Sequence, residues 1–339
     1  MKKYEVDIDT ANETKQGMQN ILATQNKRVL NKLGAFASLY DFSGLPYKNP
    51  VLVLKTEEPG SKQFIAAQYD KIENACYDMI NHLINDCIVM GAAPVSIQDA
   101  VICGKLEKNI ITRIVKALAD AAKAQGCDLT GGETSEQPGV IPVGTYILTS
   151  SIVGVVEKED IIDGSKISNG DIVLSLQSSG IHTNGYTLVR RIMNDNPDIL
   201  NETVCGRPFI DAILEPHRCY YLALKDLFKT GHITGLAHIT GGGICENLNR
   251  ILPQNLDAEI DLSLYRVPEI FKVLKKYGDI DDNEMLRTFN LGCGLAVVCK
   301  AGSVSILEDH FFKRSVECHP IGKIIKGSGI VATKNNLNW

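Results

Sequence analysis

The stretch CDLTGGETSEQPG, residues 127–139, decides how the rest of the chain is read. Cys127 to Thr130 has the apolar, β-favouring character of a short strand, and it runs straight into Gly131-Gly132-Glu133-Thr134. A strand that empties into two glycines and a carboxylate has the form of a ligand loop. Glycine lets the backbone approach a ligand closely, and exposed N–H groups before a helix can hold phosphate. Glycines also make plain tight turns, so one such loop is ambiguous. Glu133, between glycines and a threonine at a strand end, is too exposed for core and too confined to be casual, which points to catalytic or metal-binding use.

Working outward, Lys105 to Gln125 places Ile110, Ile111, Ile114, Leu118 and Ala121 on one helical face, with Gly126 as the stop. Ile72 to Met90 repeats the arrangement with Ile80, Leu83, Ile84, Cys87 and Ile88, stopped by Gly91. Val51 to Lys55 is a short strand, and TEEPGSK (56–62) after it is a turn by composition. Residues 10–30 carry a loose helical pattern, and a strand is expected near 34–39. Residues 137–156 are uncharged, but Pro138, Gly139, Pro142 and Gly144 interrupt them, so they read as a turn and a strand rather than a membrane span.

The charged stretch 157–170 is the natural domain boundary, giving domains 1–160 and 161–339. Beyond it, strand 171–176 leads into SSGIHTNG (178–185) and a helix over 186–193. Strand 236–240 leads into Gly241-Gly242-Gly243 and a helix ending before Pro253. Helix 269–277, strand 293–299, helix 303–313 and strand 321–325 complete the pattern. Alternating strands and helices in both halves predict an α/β protein. Three glycine loops at strand ends are harder to dismiss as turns than one, and none matches GxxxxGK[ST] or GxGxxG.

The 339 residues are 44% hydrophobic and 22% charged, which suits a soluble globular protein of two domains. A net charge of −5 argues against nucleic acid as partner. The ten cysteines are scattered, without a CxxC pair or zinc spacing, and sit mostly among apolar neighbours. That usage, with an amino terminus lacking a signal-like apolar run, predicts a cytoplasmic protein with no membrane contact.

Asp78, His82 and Asp86 fall at i, i+4 and i+8 on one helix, beside Asn81 and Asn85. Such a stripe is either a solvated face or a Mg²⁺–nucleotide site. The absence of Lys and Arg from 72 to 104 favours the second, because Mg²⁺ takes one or two carboxylates plus phosphate oxygens. His182, in a glycine-bounded loop, either shuttles protons near neutrality or makes one structural hydrogen bond.

Taken in order, NDCIVMGAAP (85–94), GGETSEQPG (131–139), VGVVEKEDIIDGSKISNGD (153–171), SSGIHTNGYTLVRRI (178–192), GLAHITGGGICENLNRILP (235–253) and TFNLGCG (288–294) resemble the aminoimidazole ribonucleotide synthetase (phosphoribosylformylglycinamidine cyclo-ligase) family. The resemblance implies a two-domain fold of α+β type, a homodimer whose amino-terminal domains build a joint β-barrel, and an amino-terminal domain that binds ATP. It implies ATP-dependent cyclisation of formylglycinamidine ribonucleotide to aminoimidazole ribonucleotide, with ATP and Mg²⁺ as cofactors. Carried over by position, it puts His182, Glu133 and Asp86 in catalysis, and Asp86, Glu133 and Glu57 on the metal. Glu57, Gly60, Ser61, Lys62, Gly131 and Gly132 would meet ATP. Ser178, Ser179, Asn184, Thr240, Gly241 and Gly242 would meet the substrate.

The family's loop T-D-G-V-G-T-K reads Thr56-Glu57-Glu58-Pro59-Gly60-Ser61-Lys62 here. Glu58 adds a second negative charge where phosphates should come, and Pro59 removes an N–H donor. The altered loop leaves a catalytically impaired nucleotide-binding relative as the alternative. Another ATP-using branch of the superfamily, such as selenophosphate synthetase or thiamine-phosphate kinase, is a third reading. No reactive Cys near the amino-terminal loop supports the former, and the 235–253 block disfavours both.

Overall fold

A computed structural model describes residues 13, 18, 21, 22, 26–30 and 36–339. The helix expected over 10–30 lies largely outside the described residues. Of the strand expected at 34–39, the described residues 36–39 are bends and coil, and Tyr40 bridges Val29 instead. The chain divides into two compact units, residues 1–88 with 92–158, and residues 89–91 with 159–339.

The described part of the first unit runs β1 (Pro50–Glu57), α1 (Lys62–Gln68), α2 (Ile72–Ile88), β2 (Ala93–Cys103), α3 (Lys108–Ala124), β3 (Asp128–Glu136) and β4 (Tyr146–Glu157). Its four strands lie in the order β1-β4-β2-β3. β4 is antiparallel to both neighbours, whereas β2 and β3 are parallel and joined by the α3 crossover. Helices α2 and α3 pack on the sheet and on each other. In β1 the alternation is plain: Val51, Val53, Lys55 and Glu57 are partly buried, while Pro50, Leu52, Leu54 and Thr56 are exposed.

Two expectations change here. Thr56 and Glu57 end β1 and Lys62 opens α1, so only 58–61 is a turn. Gly131 to Glu136 is not a loop but the second half of β3, held by its parallel ladder to β2. Its low strand propensity is overruled by backbone pairing. Strand β2 was invisible because APVSIQDAVIC mixes polar residues and a proline into the pattern.

Helix α2 is no solvated face. Asp78, Asn81, His82 and Asn85 are buried together with its apolar residues. Gly154 explains the close approach: a Cβ there would collide with the Cys87 sulfur, so only glycine lets α2 sit this near β4. At its centre Lys62, wholly buried, places Nζ 2.8 Å from Asp78 Oδ1.

The second unit runs β5 (Ile172–Gln177), α4 (Tyr186–Asp195), a hairpin of β6 (Thr203–Val204) and β7 (Arg207–Pro208), α5 (Phe209–Ile213), α6 (Tyr221–Leu224), β8 (Ile233–His238) and α7 (Gly243–Asn249). It continues with β9 (Leu256–Asp261), α8 (Glu269–Gly278), α9 (Asp282–Thr288), β10 (Cys293–Cys299), α10 (Val304–Phe312), β11 (Cys318–Lys326) and β12 (Val331–Lys334). The six-stranded sheet has the order β12-β9-β11-β5-β10-β8, antiparallel except for the β12–β9 pair. β8 and β10 are buried at every residue; β10 is a continuous apolar run, whereas β8 also buries Thr234 and His238. β8 ends at His238, so Thr240 belongs to the following turn rather than to the strand.

Replacing Lys62 with Met leaves the buried Asp78 carboxylate without its cation. The expected cost is about 3–5 kcal/mol, read as a lower midpoint in chemical denaturation. A midpoint equal to the wild type would show that the pair does not hold this unit.

Candidate functional site

In the first unit, β1 and α2 bring four ionisable side chains together. Lys55 Nζ lies 3.0 Å from Glu57 Oε2 and 2.9 Å from Asp86 Oδ2. His82 Nε2 stands 3.5 Å from the same Glu57 oxygen and 3.6 Å from the same Asp86 oxygen. Glu57 and Asp86 keep about a fifth of their side-chain surface in solvent, and His82 is buried. Burial opposes the charge on Lys55, but its hydrogen bonds and attraction to Asp86 and Glu57 outweigh that and raise its pKa. Two carboxylates thus converge on one point, with cationic or protonatable groups between them.

The turn after β1 is braced from within. Gln63 Nε2 donates to Glu58 Oε2 at 3.3 Å and to Gly60 O at 3.0 Å, while Leu148 N donates to Gln63 Oε1 at 2.9 Å. Gly60 takes φ +63°, a left-handed conformation that explains a glycine there. Lys62 points inward to Asp78 rather than to the turn, and Ser61 makes no side-chain cap on α1.

Glu133 lies elsewhere. Along one register line across the sheet, Glu57 pairs with Ser150, Ser150 with Asp99, and Asp99 with Gly132. These residues share the helix-covered face, and a Cβ on Gly132 would strike the Asp99 carboxylate. Glu133, one residue on, therefore points to the opposite face. It is exposed, on the far edge strand, three strand spacings or roughly 14 Å from β1. Within one chain the structure joins Glu57 and Asp86 but does not bring Glu133 to them. Gly131 and Gly132 lie beside Glu133 on β3 and so do not form the expected phosphate loop.

In the second unit, the 178–185 loop links β5 to α4. Asn290 laces it: its Nδ2 donates to Gly180 O at 2.9 Å and Ile181 O at 3.1 Å, and its Oδ1 accepts from Gly292 N at 2.8 Å. The Ser178 hydroxyl lies 3.0 Å from Asn290 Oδ1 and 2.9 Å from Gly180 O, and Ser179 Oγ donates to Pro216 O at 2.7 Å. His182 is buried at φ +64°, unusual for a residue with a side chain, and its Nε2 accepts from Ser179 N at 3.2 Å. The turn after β8 is tied by Asn247, whose Nδ2 reaches the carbonyls of Thr240, Gly241 and Gly243. A Cβ on Gly241 would touch Asn184 Nδ2, which puts these two loops side by side.

Sequence reading missed several of these residues. Lys55 and His82 were seen only as strand and stripe members. Asn290 stood in plain view in TFNLGCG, and His217 and His238, which cluster with His182, carried no spacing signal because three separate segments supply them. Asp99 had no signal at all. All ten cysteines are free, and burial pushes the thiols of Cys87, Cys293 and Cys299 up to about 12, which disfavours their thiolate forms.

Comparison with known proteins follows the same division. The profile described as "AIR synthase related protein, N-terminal domain" matches residues 44–156, and the corresponding "C-terminal domain" profile matches 168–335. A phosphoribosylformylglycinamidine cyclo-ligase of Neisseria meningitidis serogroup C is 39% identical over 326 residues, covering 96% of this chain and 94% of that protein. One from Bacillus cytotoxicus is 36% identical over 333 residues, covering 97% and 96%. Among solved structures, E. coli HypE, a hydrogenase maturation protein, aligns with a TM-score of 0.68 at 16% identity, covering 97% and 95%. Thiamine-monophosphate kinase from Stenotrophomonas maltophilia aligns with a TM-score of 0.64 at 15% identity, covering 96% of each chain. At such identities the solved structures speak to fold alone.

Burial pushes the Asp99 carboxyl from its ordinary 3.8 up to about 7, with its own backbone hydrogen bond opposing part of that shift. An acid with a raised folded-state pKa keeps in the native state a proton it loses on unfolding. Stability therefore falls as pH rises through roughly 4 to 7 and is level above. Asp99→Asn should remove this slope, so the variant gains on the wild type between pH 5 and pH 8 in denaturant titrations. Parallel profiles would contradict the assignment.

Proposed function

The chain belongs to the aminoimidazole ribonucleotide synthetase family, and from that premise we propose how its residues divide the work. As a cyclo-ligase it is an enzyme of purine biosynthesis, closing the imidazole ring of formylglycinamidine ribonucleotide at the expense of ATP and releasing ADP and phosphate. ATP phosphorylates the formamide oxygen, which makes a good leaving group. The amidine nitrogen attacks that carbon and phosphate departs. Protein groups contribute mainly position and charge neutralisation.

The observation that carries the assignment is the convergence of Glu57 and Asp86 around Lys55. Two hard carboxylate donors on one point fit Mg²⁺, which supplies charge neutralisation on the ATP phosphates when bound. We assign those donors to the metal. The 58–61 turn serves the phosphates beside them, and the Gln63 brace keeps the Glu58 carboxylate in a fixed direction. Lys62 supports this arrangement from the core through Asp78. His182, Asn184 and the 240–242 turn serve the substrate, with Ser178 and Ser179 holding the loop's shape. Nothing observed favours a catalytically impaired relative.

Glu133 gains its role through a second copy. On the uncovered sheet face Leu52 is 54% exposed and Leu54 is 69% exposed, and no described helix covers them. We propose that this face closes into a joint barrel with another copy, which places Glu133 at the edge where the two meet. No described helix is long and apolar enough to cross a membrane. We place the protein in the cytoplasm, where ten free thiols remain reduced.

Purified protein given formylglycinamidine ribonucleotide, Mg²⁺ and ATP should form ADP and aminoimidazole ribonucleotide in equal amounts. His182→Ala should lower kcat by at least about 100-fold, the usual scale for a positioned proton-transfer group, with unfolding unchanged. Wild-type kcat in that variant would remove His182 from the site. Leu54→Lys should shift sedimentation from dimer to monomer at micromolar concentration. A monomeric wild type, or an undisturbed dimer in the variant, would overturn the barrel assignment.

A further inference from the structure

His182, His217 and His238 form a cluster in the second unit, of which the proposed cyclisation role uses His182 alone. All three are buried, and each offers a ring nitrogen within 4.8 Å of the others. His217 Nε2 and His238 Nε2 are 2.9 Å apart with their rings tilted by 56°. The rings of His182 and His217 stack at 3.8 Å with 20° between planes. Three different segments contribute: the 178–185 loop, the 215–219 segment before α6, and the last residue of β8.

We propose that these three histidines bind a first-row transition ion such as Zn²⁺ or Co²⁺. Three imidazoles without a carboxylate suit zinc, cobalt, nickel or copper and not Mg²⁺, which prefers oxygen. Two nitrogens at the usual zinc distance on a tetrahedral ion lie about 3.3 Å apart, close to the 2.9 Å already present between His217 and His238. Thr183 Oγ1 stands 3.4 Å from His217 Nδ1, the kind of outer partner that directs the other nitrogen toward a metal. The in-plane lone pairs of stacked rings run side by side, so His182 turns out of its stack to complete the set. Three protein ligands leave a fourth position open to water or to a ligand atom, as in exchangeable rather than purely structural sites. Because His182 also serves the substrate in the reading above, an occupied site competes with turnover. That consequence rests on the proposed role of His182, whereas the binding does not.

The test is a Co²⁺ titration of chelator-treated full-length protein, followed by visible absorption. With excess Mg²⁺ present to hold the Glu57–Asp86 carboxylates, one equivalent should bind and give the d–d bands of a tetrahedral or five-coordinate ion. No sulfur-to-cobalt charge-transfer band should appear, which separates the histidines from the ten cysteines. His217→Asn and His238→Asn should each weaken binding at least tenfold, with unfolding midpoints checked alongside. If either variant does not fold, nitrogen NMR of the wild-type histidines with Zn²⁺ takes its place, and three imidazole resonances should shift together. Absence of the cobalt bands, a sulfur band in their place, bands that survive both substitutions, or unmoved imidazole resonances would each overturn the proposal. Loss of activity on metal addition without these spectra would also count against this site. Intact spectra with unaffected turnover would leave the metal site standing and remove only His182's catalytic role.

Discussion

Successive residues of a strand point to opposite faces, and that alternation distributes the chemistry of the first unit. Lys55 and Glu57 lie on the face of β1 that meets α2, so they reach His82 and Asp86. The same rule, carried along the register through Ser150 and Asp99 to Gly132, turns Glu133 away from them. A one-residue slip in the β2–β3 ladder would exchange these roles and bury Glu133 under the helices. Gly132 guards the register, because any side chain there would collide with Asp99. Gly132 is therefore better understood as a space requirement of a carboxylate in the neighbouring strand, while Gly131 leaves room for the Ser38 hydroxyl.

The second unit solves a different problem, holding irregular loops still. Loops carry function but lack the ladders that fix strands. Here two asparagines replace those ladders. Asn290 serves the carbonyls of Gly180 and Ile181, and Asn247 serves Thr240, Gly241 and Gly243. Each side-chain amide offers two donors and an acceptor, which matches the carbonyl-rich interior of a tight turn. The left-handed His182 and the buried stack on His217 are sustained by that bracing rather than by local preference.

Sequence periodicity found the long apolar elements well. Strand 293–299 and the helices beginning at 186 and 269 stand where expected, because burial dictates their pattern. β2 escaped since Pro94, Gln98 and Asp99 interrupt any apolar alternation. The second half of β3 escaped for the opposite reason: glycine and threonine signal a loop until a neighbouring strand pairs with them. For the site, motifs named the loops but not their partners. The i, i+4 spacing gave the pairing of His82 with Asp86. The approach of β1 to that helix, and of His217 and His238 to His182, comes from sequence-distant segments, and no spacing rule encodes a contact made by tertiary packing.

The departures at 56–62 compensate one another when read with their surroundings. Glu57 at the end of β1 and Glu58 at the start of the turn put two carboxylates beside the proposed metal–phosphate site, which alone would repel ATP. Lys55, only partly buried, returns a positive charge within 3.0 Å of Glu57. Gln63 holds Glu58 by a hydrogen bond, while Pro59 is buried and fixes φ at the bend. The turn thus exchanges the flexibility of glycine for rigidity. Pro59 lowers the conformational entropy of the unfolded chain, so this replacement need not cost stability. The remaining charge problem is local, because Lys62 and Asp78 neutralise each other in the core. If Glu57 and Asp86 hold a metal ion as proposed, that ion would have to displace the Lys55 ammonium rather than fill an empty pair of carboxylates. On the proposed assignment, binding would be weaker without nucleotide than with it, since phosphate would give the displaced Lys55 somewhere to go.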